Sequence, residues 1–523
     1  MAQDRGQAVG HAGQFTHSSV FDIERMLTLR RSRRVKCDES QPICQRCVRA
    51  GYVCQSATPP PQLKDRSPKF IIYVKPSYLA FPELDEHERN AIEFFRNSSI
   101  QQLGRSCVSR LWAASFLNCI TQTPVVRHAI IAFATFHRLF CFPTNSAIED
   151  KAVGLRHYGK SIKLLTTLQA ENDDNAIVTT LAACVIFCAI EALQCHLSSA
   201  MSHITSGIRI FAQGEAQPGK QSRKLQSELV EVDHLRRSLL AMGTLSMAVE
   251  ETGQDRFTWV MDQQQEHGAD IITTLEDAQL KMALILGSVI ELTIRVMSLA
   301  ESDIQGRIKL ILEASTMTSQ FETWMASFDY IKNSYHAKQQ SCCTTYKTLV
   351  PILNANSQQC QITLDTLFFD SRTKCQSAFD AHLDRFRDIL QNAEDLIGNC
   401  IQPQPVFGMS LGIIPCLLFV CMRCRDHETR HRALKVLKKC KRREGVWDSD
   451  LISIVADTWI RAEERHFTQQ ITEAIDVTEW TGLEIPEHQR IEHLMSRFEP
   501  ETGAELTFVL TTGEIVAQKV MDW

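Results

Sequence analysis

Residues 176–193 read AIVTTLAACVIFCAIEAL, and this segment indicates the architecture of most of the chain. It is apolar on nearly all sides and carries no charge before Glu191. An all-round apolar helix is typical of the centre of a domain. The uncharged part, 176–190, is shorter than the roughly 20 residues that a bilayer span requires. We therefore predict a core helix of a large globular domain.

The sequence on both sides of this segment has the period of helices. In PVVRHAIIAFATFHRLF (124–140), apolar residues recur three and four positions apart after Pro124, a residue favoured in the first helical turn. HYGKSIKLLTTL (157–168) follows the same pattern. Strand signals are nearly missing, so the predicted fold class is all-α, with an irregular helical domain over 84–523. Further amphipathic runs lie near 226–248, 277–300, 360–397, 428–440 and 450–470.

Composition and charge divide the chain unevenly. Its 523 residues are 44% hydrophobic and 22% charged, which are ordinary globular values. The net charge is −5, yet residues 25–54 contain eight Arg and Lys against two Asp and Glu, a local +6 that leaves −11 elsewhere. A short basic block is typical of polyanion binding. The first twenty residues lack the apolar core of a secretory signal, so we expect the 19 cysteines to be reduced.

We predict four zones along the chain. Residues 1–24 are polar and are expected to be disordered. Residues 25–56 form a small cysteine-rich basic module, and residues 57–83, which begin with a Pro-Pro-Pro run, form a linker. Residues 84–523 are the helical domain.

The basic module contains a cysteine cluster with metal-ligand spacing. Residues 30–54 read RRSRRVKCDESQPICQRCVRAGYVC, so Cys37, Cys44, Cys47 and Cys54 follow the pattern C-x6-C-x2-C-x6-C. Thiolates are preferred zinc ligands, and four of them complete a tetrahedral structural site. Because the segment is too small for an apolar core, bound metal would supply its folding free energy. We predict Zn2+ as the cofactor, the alternative being four unligated thiols.

These residues resemble the fungal binuclear zinc cluster proteins, whose module has six cysteines as C-x2-C-x6-C-x6-C-x2-C-x6-C. The last four cysteines match in number and spacing. Residues 33–39 are similar to the family's basic run, and Pro42 and Gly51 occupy the positions of its loop proline and its late glycine. The resemblance implies a nuclear, sequence-specific transcription regulator that binds double-stranded DNA at RNA polymerase II promoters.

The chain departs from the family at the first two cysteines. The family spacing places them at residues 27 and 30, which are Leu27 and Arg30. One bridging and one terminal ligand are therefore missing, and we predict a single tetrathiolate zinc ion in place of two. Loss of the two ligands and an incorrect first exon both explain the difference, and genomic DNA upstream of Arg30 distinguishes them.

The resemblance also implies how DNA is read. In the family, a short helix enters the major groove and a basic pair contacts bases; the matching residues here are Arg33 and Arg34. Arg30, Arg31 and Lys36 would contact phosphates. Arginine suits this role because its planar fork donates two hydrogen bonds to guanine. The alternative for the basic run is a nuclear import signal, and the two uses are compatible.

The long body also resembles a known domain. Phrases between residues 85 and 470, such as AMSHITSGIRIF and CRDHETRHRAL, are similar to the fungal-specific transcription factor domain. The resemblance implies an all-α regulatory domain that works with the transcription machinery. The sequence does not decide whether the protein is a homodimer, because the linker lacks the heptad run that follows the zinc cluster in dimeric members of the family.

Several residues in the body have spacings similar to those of catalytic or metal-binding motifs. Cys421, Cys424, His427 and His431 form C-x2-C-x2-H-x3-H, but these spacings spread around a helix, and we expect core and surface residues instead. We interpret Cys184, Cys188, His128 and His137 as structural residues. Gly-rich phosphate loops, G-x-S-x-G and H-E-x-x-H are missing from the sequence, so we predict no enzymatic activity.

Three hypotheses follow. The leading one is the DNA-binding regulator. The second is a helical interaction protein with a degenerate zinc module that does not bind DNA, and the third, least favoured, is an all-α enzyme.

Overall fold

A computed structural model describes most of the body, and all described residues belong to one compact unit, Glu83–Trp523. The N-terminal zones up to residue 83 lie outside the described residues. The described ranges are 84–103, 112, 116–143, 147–170, 176–216, 229–247, 272–300, 302–338, 340, 343–373, 376–398, 404–471, 485–499 and 503–521.

Helices dominate the described residues, so the prediction of an all-α body is confirmed. The α-helices are α1 Glu86–Phe94, α2 Ile100–Leu103, α3 Phe116–Gln122, α4 Pro124–Cys141, α5 Ala147–Ala170, α6 Ala176–Leu193, α7 Leu197–Ala216, α8 Leu229–Met247, α9 Leu275–Ser298, α10 Ile304–Ala337, α11 Thr344–Thr373, α12 Leu383–Gly398, α13 Ile414–Arg423, α14 His427–Lys439 and α15 Ser449–Ile471. The strands are β1 Val406–Gly408, β2 Arg442–Glu444, β3 Trp447–Asp448, β4 Ile491–Glu499, β5 Gly503–Leu510 and β6 Ile515–Met521.

Helix α6 is the buried helix predicted from its composition. Every residue from Thr179 to Leu193 is buried. Among the described helices it alone is long and apolar enough to cross a membrane, and 89% of it is buried inside the protein. Helix α4 begins with Pro124 at its first position, as predicted, and packs against α5 and α6.

Helix ends are placed by side chains that satisfy free backbone N–H groups. Before α1, Asp85 Oδ1 accepts from Glu88 N at 2.8 Å and Glu88 Oε2 accepts from Asp85 N at 3.0 Å, a reciprocal capping box. Thr274 and Asp426 cap α9 and α14 in the same way, with single bonds of 3.0 Å. The predicted run 360–397 is divided by a 3-10 turn, Gln376–His382, between α11 and α12.

Two apolar clusters organise the second half of the body. In the first, α9, α10 and α11 surround Trp324, whose ring stacks on Phe328 at 4.9 Å between centroids and whose Nε1 donates to Ala278 O at 3.0 Å. In the second, α11 to α15 pack around α13, where Leu417 and Val420 are completely buried. Burial of this apolar surface is the main stabilising contribution to the body.

A small sheet joins α12, α13, α14 and α15. Strand β1 pairs in parallel with β2, and β2 pairs antiparallel with β3. Residues 406–422 carry no charged side chain; they begin as β1 and continue as α13, which has Pro415 in its first turn. The glycine and proline interruptions in this stretch agree with that division.

A second sheet at the end of the chain was not predicted. Strands β4, β5 and β6 form an antiparallel sheet that packs on α15 through Trp459, Leu506, Phe508 and Leu510. Leu506, Phe508 and Leu510 are buried, but Val509 is buried as well, so the alternation typical of a half-buried strand is incomplete. Because this signal is short and irregular, the strands were predicted as part of the helical domain 84–523. The sheet covers one side of α15, so the all-α architecture stands with this addition.

Candidate nucleic-acid interface

The residues predicted to bind zinc and DNA precede the described part of the chain, and their roles remain predictions from sequence. The structure therefore neither brings them together nor separates them. They are Cys37, Cys44, Cys47 and Cys54 for the metal, and Arg30, Arg31, Arg33, Arg34 and Lys36 for DNA.

Most cysteines in the described body are buried free thiols. Burial raises the pKa of Cys184 to about 11 and that of Cys421 and Cys424 to about 12. Burial also raises the pKa of Cys188 far above its usual range. A thiol that stays protonated is a poor metal ligand and a poor nucleophile. These residues therefore contribute to packing, as the sequence analysis expected of Cys184 and Cys188.

The two histidines of α4 are internal structural groups. His137 is buried, its Nδ1 lies 2.8 Å from Ser99 Oγ and its Nε2 lies 3.2 Å from Gln102 Oε1. Desolvation lowers the pKa of His137 to about 3, so the ring is neutral. His128 Nδ1 lies 3.0 Å from His157 Nδ1, and desolvation, with the charge of His157, lowers the pKa of His128 to about 4.

A buried ionic centre lies where α13, α14, α15 and the C-terminal sheet meet. Glu463 accepts from Arg425 Nη2 at 2.8 Å, from Arg430 Nη2 at 2.7 Å and from Ile491 N at 2.9 Å. The side chains of all three charged residues are fully buried. Burial by itself would raise the pKa of Glu463, but Arg425, Arg430 and the Ile491 N–H together hold it below its usual range.

This centre explains part of the phrase CRDHETRHRAL in structural terms. Arg430 Nη2 also donates to Cys421 O at 3.0 Å, and Arg425 Nη1 donates to Arg423 O at 2.8 Å. The arginines thus tie the end of α13 to α15, and Ile491 adds the start of β4. Glu463 was not predicted from the sequence, because its two arginine partners lie 38 and 33 positions away along the chain.

The segment KRREGVW (441–447) belongs to another internal network. The Glu444 carboxylate accepts from Ile413 N and Ile414 N, both at 2.8 Å, and from Arg442 Nε at 2.9 Å. It therefore satisfies the free N–H groups at the start of α13. A Cβ at Gly412 would collide with this carboxylate, so glycine is required there.

Arg443, the neighbour of Glu444 in the chain, contacts β3 and two helices of the first half of the body. It binds Asp448 at 2.6 Å and donates to Leu193 O, at the end of α6, at 2.5 Å. The guanidinium also lies over the ring of Phe140 at 5.0 Å. The basic residues of this segment, Lys441, Arg442 and Arg443, each form an ion pair within the protein.

Comparison with known proteins identifies the N-terminal module. The family model of the Fungal Zn(2)-Cys(6) binuclear cluster domain matches residues 31–64, which contain all four predicted ligand cysteines. The Aspercryptin biosynthesis cluster-specific transcription regulator atnN of Emericella nidulans is 24% identical over 94% of this chain and 95% of its own length. The Transcription regulator lscL of Purpureocillium lilacinum is 22% identical over 36% of this chain and 49% of its own length. No solved structure matches the chain.

The family match confirms Zn2+ as the cofactor, and the two relatives agree with the function that the cysteine spacing indicated. The predicted resemblance is thus confirmed: residues 31–64 match the fungal Zn(2)-Cys(6) binuclear cluster domain.

Proposed function

We propose that this protein acts in the nucleus and regulates RNA polymerase II promoters by reading DNA through residues 25–56. The observation that carries the proposal is the family match over 31–64, which coincides with the C-x6-C-x2-C-x6-C cysteines in the basic block of residues 25–54. In this proposal residues 57–83 are the linker and residues 84–523 are the regulatory domain that works with the transcription machinery.

The zinc content follows from the cysteines that are present. The family is described by six cysteines and two metal ions, whereas the match here begins at residue 31, after the positions of Leu27 and Arg30. Four thiolates satisfy one tetrahedral ion. We therefore propose one zinc per module, and metal analysis of purified residues 25–56 distinguishes one ion from two or none.

The DNA-binding test compares two forms of the full chain. One is the chain as written, and the other carries Leu27→Cys and Arg30→Cys, which restore the six-cysteine pattern. The regulator proposal expects at least one form to prefer a specific sequence over bulk DNA at near-physiological salt. If neither form has such a preference, the DNA-reading role is wrong and the interaction-protein hypothesis replaces it.

We further propose that the body has no catalytic activity. The support is the state of the polar groups that could catalyse a reaction. His137 is buried, neutral and hydrogen-bonded on both ring nitrogens, and Glu463 is buried between two arginines. The described thiols with a resolved shift have raised pKa values, which disfavours nucleophilic chemistry.

A homodimer through α5 is part of the proposal. Ile148, Leu155 and Ile162 recur every seven residues on α5 and are 84%, 47% and 41% exposed. Ala152 and Gly159 are also exposed and lie between them on the same face. Apolar residues that alternate by four and three positions form the seam of a coiled coil. A second copy of this chain is the partner that this face fits.

The sizes of the side chains favour an antiparallel pair. When two α5 helices cross antiparallel at the level of position 157, Leu155 lies opposite the partner's Gly159, and Ala152 lies opposite the partner's Ile162. Each layer then combines one large with one small side chain, which permits close packing. The same alignment places Glu149 near the partner's Lys163, and opposite charges flanking such a seam set its orientation.

Sedimentation of the full chain tests this dimer. We expect Leu155→Glu to shift the protein toward the monomer, because it places a charge in the seam. Leu312→Glu is the matched control, since Leu312 is 65% exposed on α10 and lies outside the seam. A wild-type monomer at all concentrations, or equal effects of both variants, would contradict the dimer.

The target genes are proposed from the relative. The atnN regulator is named as specific to one biosynthetic gene cluster and aligns over nearly the whole chain. We propose that this protein also controls a gene cluster of its own. Deleting its gene should lower or raise the transcripts of one group of adjacent genes, and a change scattered over the genome would contradict that specificity.

A further inference from the structure

The structure divides the sequence set C-x2-C-x2-H-x3-H into two unlike pairs. Cys421 and Cys424 are buried, and Cys421 Sγ lies 3.7 Å from Arg430 O, to which it donates. His427 and His431 lie one turn apart on α14, with side chains that are 43% and 40% exposed. The histidines therefore share a face that the cysteines do not reach.

A carboxylate from the next helix meets this histidine pair. Glu464 on α15 has Oε1 3.4 Å from His427 Nδ1 and 3.1 Å from His431 Nε2. Its Oε2 lies 3.1 Å from the same His431 nitrogen. The two imidazole rings are 4.2 Å apart between centroids. One ligand atom from each of the three residues lies within 4.8 Å of the other two.

The position of Glu464 is held by the buried centre beside it. Glu463, its neighbour in the chain, is bound by Arg425 and Arg430, which locks α15 against α14. The start of α14 is held by Asp426, which accepts from Thr429 N at 3.0 Å. Two rigid helices therefore present the ligands, and little side-chain freedom remains to be lost on binding.

We propose that His427, His431 and Glu464 form a binding site for a divalent transition-metal ion such as Zn2+. Two imidazoles and one carboxylate are a ligand set that zinc accepts in open sites. Metal–ligand bonds of about 2.0–2.1 Å in a tetrahedron place the ligand atoms about 3.3 Å apart. The separations of 3.4 Å and 3.1 Å between the Glu464 oxygen and the two nitrogens agree with that requirement.

The surroundings permit an ion to enter. Both imidazoles are partly exposed, while Glu464 is 15% exposed, so solvent reaches the site from the histidine side. Arg430 Nη1 lies 3.9 Å from Glu464 Oε1 and competes weakly for it. The main partner of Arg430 is Glu463 at 2.7 Å. The bound ion would clip α14 to α15 and stabilise their contact.

Calorimetric titration of Ni2+ into the zinc-loaded full chain tests the site. Loading with zinc and then removing loosely held ions occupies the thiolates of residues 25–56 first, and imidazole is a good ligand for Ni2+. We expect one saturable Ni2+ site per chain, with affinity at least about tenfold weaker in His431→Ala and in Glu464→Gln. His336→Ala is the matched control, because His336 is an exposed histidine on α10.

Thermal unfolding supplies a second readout on the same proteins. Because the ion binds only the folded arrangement of α14 and α15, Ni2+ should raise the Tm of the wild type and of His336→Ala. The rise should disappear in His431→Ala, whose helical circular dichroism confirms folding. No saturable binding in the wild type, or equal affinity in all four proteins, would overturn the site and leave three ion-paired surface residues.

Discussion

The cysteine-rich segment 25–56 and the helical body use the same two residue types, cysteine and arginine, for different purposes. In the segment, four cysteines stand in a basic, polar sequence where thiolates are favoured, and we assign them to zinc. In the body, Cys421 and Cys424 are buried, and burial raises their pKa to about 12. Spacing alone does not separate these two cases, but the apolar or basic character of the neighbouring residues does.

Arginine differs between the two regions for the same reason. The basic block has eight Arg and Lys against two Asp and Glu, a local charge of +6, so we expect it to attract DNA phosphates. Arg425 and Arg430 instead share Glu463 in a fully buried centre. A buried charge requires a partner, because an unpaired charge is costly to remove from water. The following predictions test this contrast between the two regions.

The largest effect is expected from the cysteines. Cys44→Ser combined with Cys47→Ser should abolish zinc binding by residues 25–56 and specific DNA binding, while the thermal unfolding of the body stays unchanged. Cys416→Ser is the matched control in the body, because Cys416 is completely buried. It should lower the Tm and leave the zinc content of the segment intact. Zinc analysis, DNA binding and calorimetry measure the two outcomes, and similar behaviour of the two variants would refute the distinction.

Removing the charge of Glu463 should destabilise the body strongly. In Glu463→Gln two buried arginines lose their neutralising partner, and breaking a buried ion pair costs about 3–5 kcal/mol. Denaturant unfolding measures this loss. Glu394→Gln is the control, because Glu394 pairs with the half-exposed Arg432 at 2.9 Å and such surface pairs contribute about 0–1 kcal/mol. Equal decreases in the free energy of unfolding for the two variants would show that the buried ionic centre contributes no more to stability than a surface ion pair.

The arginines of the basic block should affect DNA binding in two ways. Arg33→Ala or Arg34→Ala should weaken binding to the cognate site by about 1–3 kcal/mol and relax base preference there. Arg31→Ala should weaken binding to all sequences alike and reduce the salt dependence. Titration at two salt concentrations, against cognate and random DNA, separates the effects. A uniform loss in the Arg33 and Arg34 variants would assign them to phosphates.

The smallest effect concerns pH. Desolvation lowers the pKa of His137 to about 3, whereas an unfolded histidine has a pKa of about 6.5. Below about pH 6.5 the unfolded state binds a proton that the folded state does not, so the free energy of unfolding decreases as the pH decreases. From pH 7 to pH 5.5 this group should remove about 1 kcal/mol from the free energy of unfolding. His137→Gln should reduce that slope, and an unchanged slope would exclude His137 as its source.

Much of the body was predictable because helical periodicity is a local property. The runs predicted near 226–248, 277–300, 428–440 and 450–470 became α8, α9, α14 and α15 with ends within three residues. The composition of 176–193 indicated the buried helix α6, and it is buried. Nearby residues specify these features, so the sequence contains them without reference to the rest of the fold.

The cysteine module was also predictable, for a chemical reason. Four thiolates at that spacing have no explanation in core packing, and a small segment without an apolar core needs a metal to fold. The family match over 31–64 confirmed this interpretation. Zinc as the cofactor followed from residues that lie within eighteen positions of one another.

Features that depend on distant partners became visible only in the fold. Glu463 meets Arg425 across 38 positions and Arg430 across 33, and β4 reaches the same carboxylate through Ile491 N. Glu464 contacts His431 across 33 positions. The sequence pattern had grouped His427 and His431 with Cys421 and Cys424 instead. Periodicity reports which face of a helix is apolar, but the neighbour of each polar side chain depends on how the helices pack, and packing is a property of the whole chain.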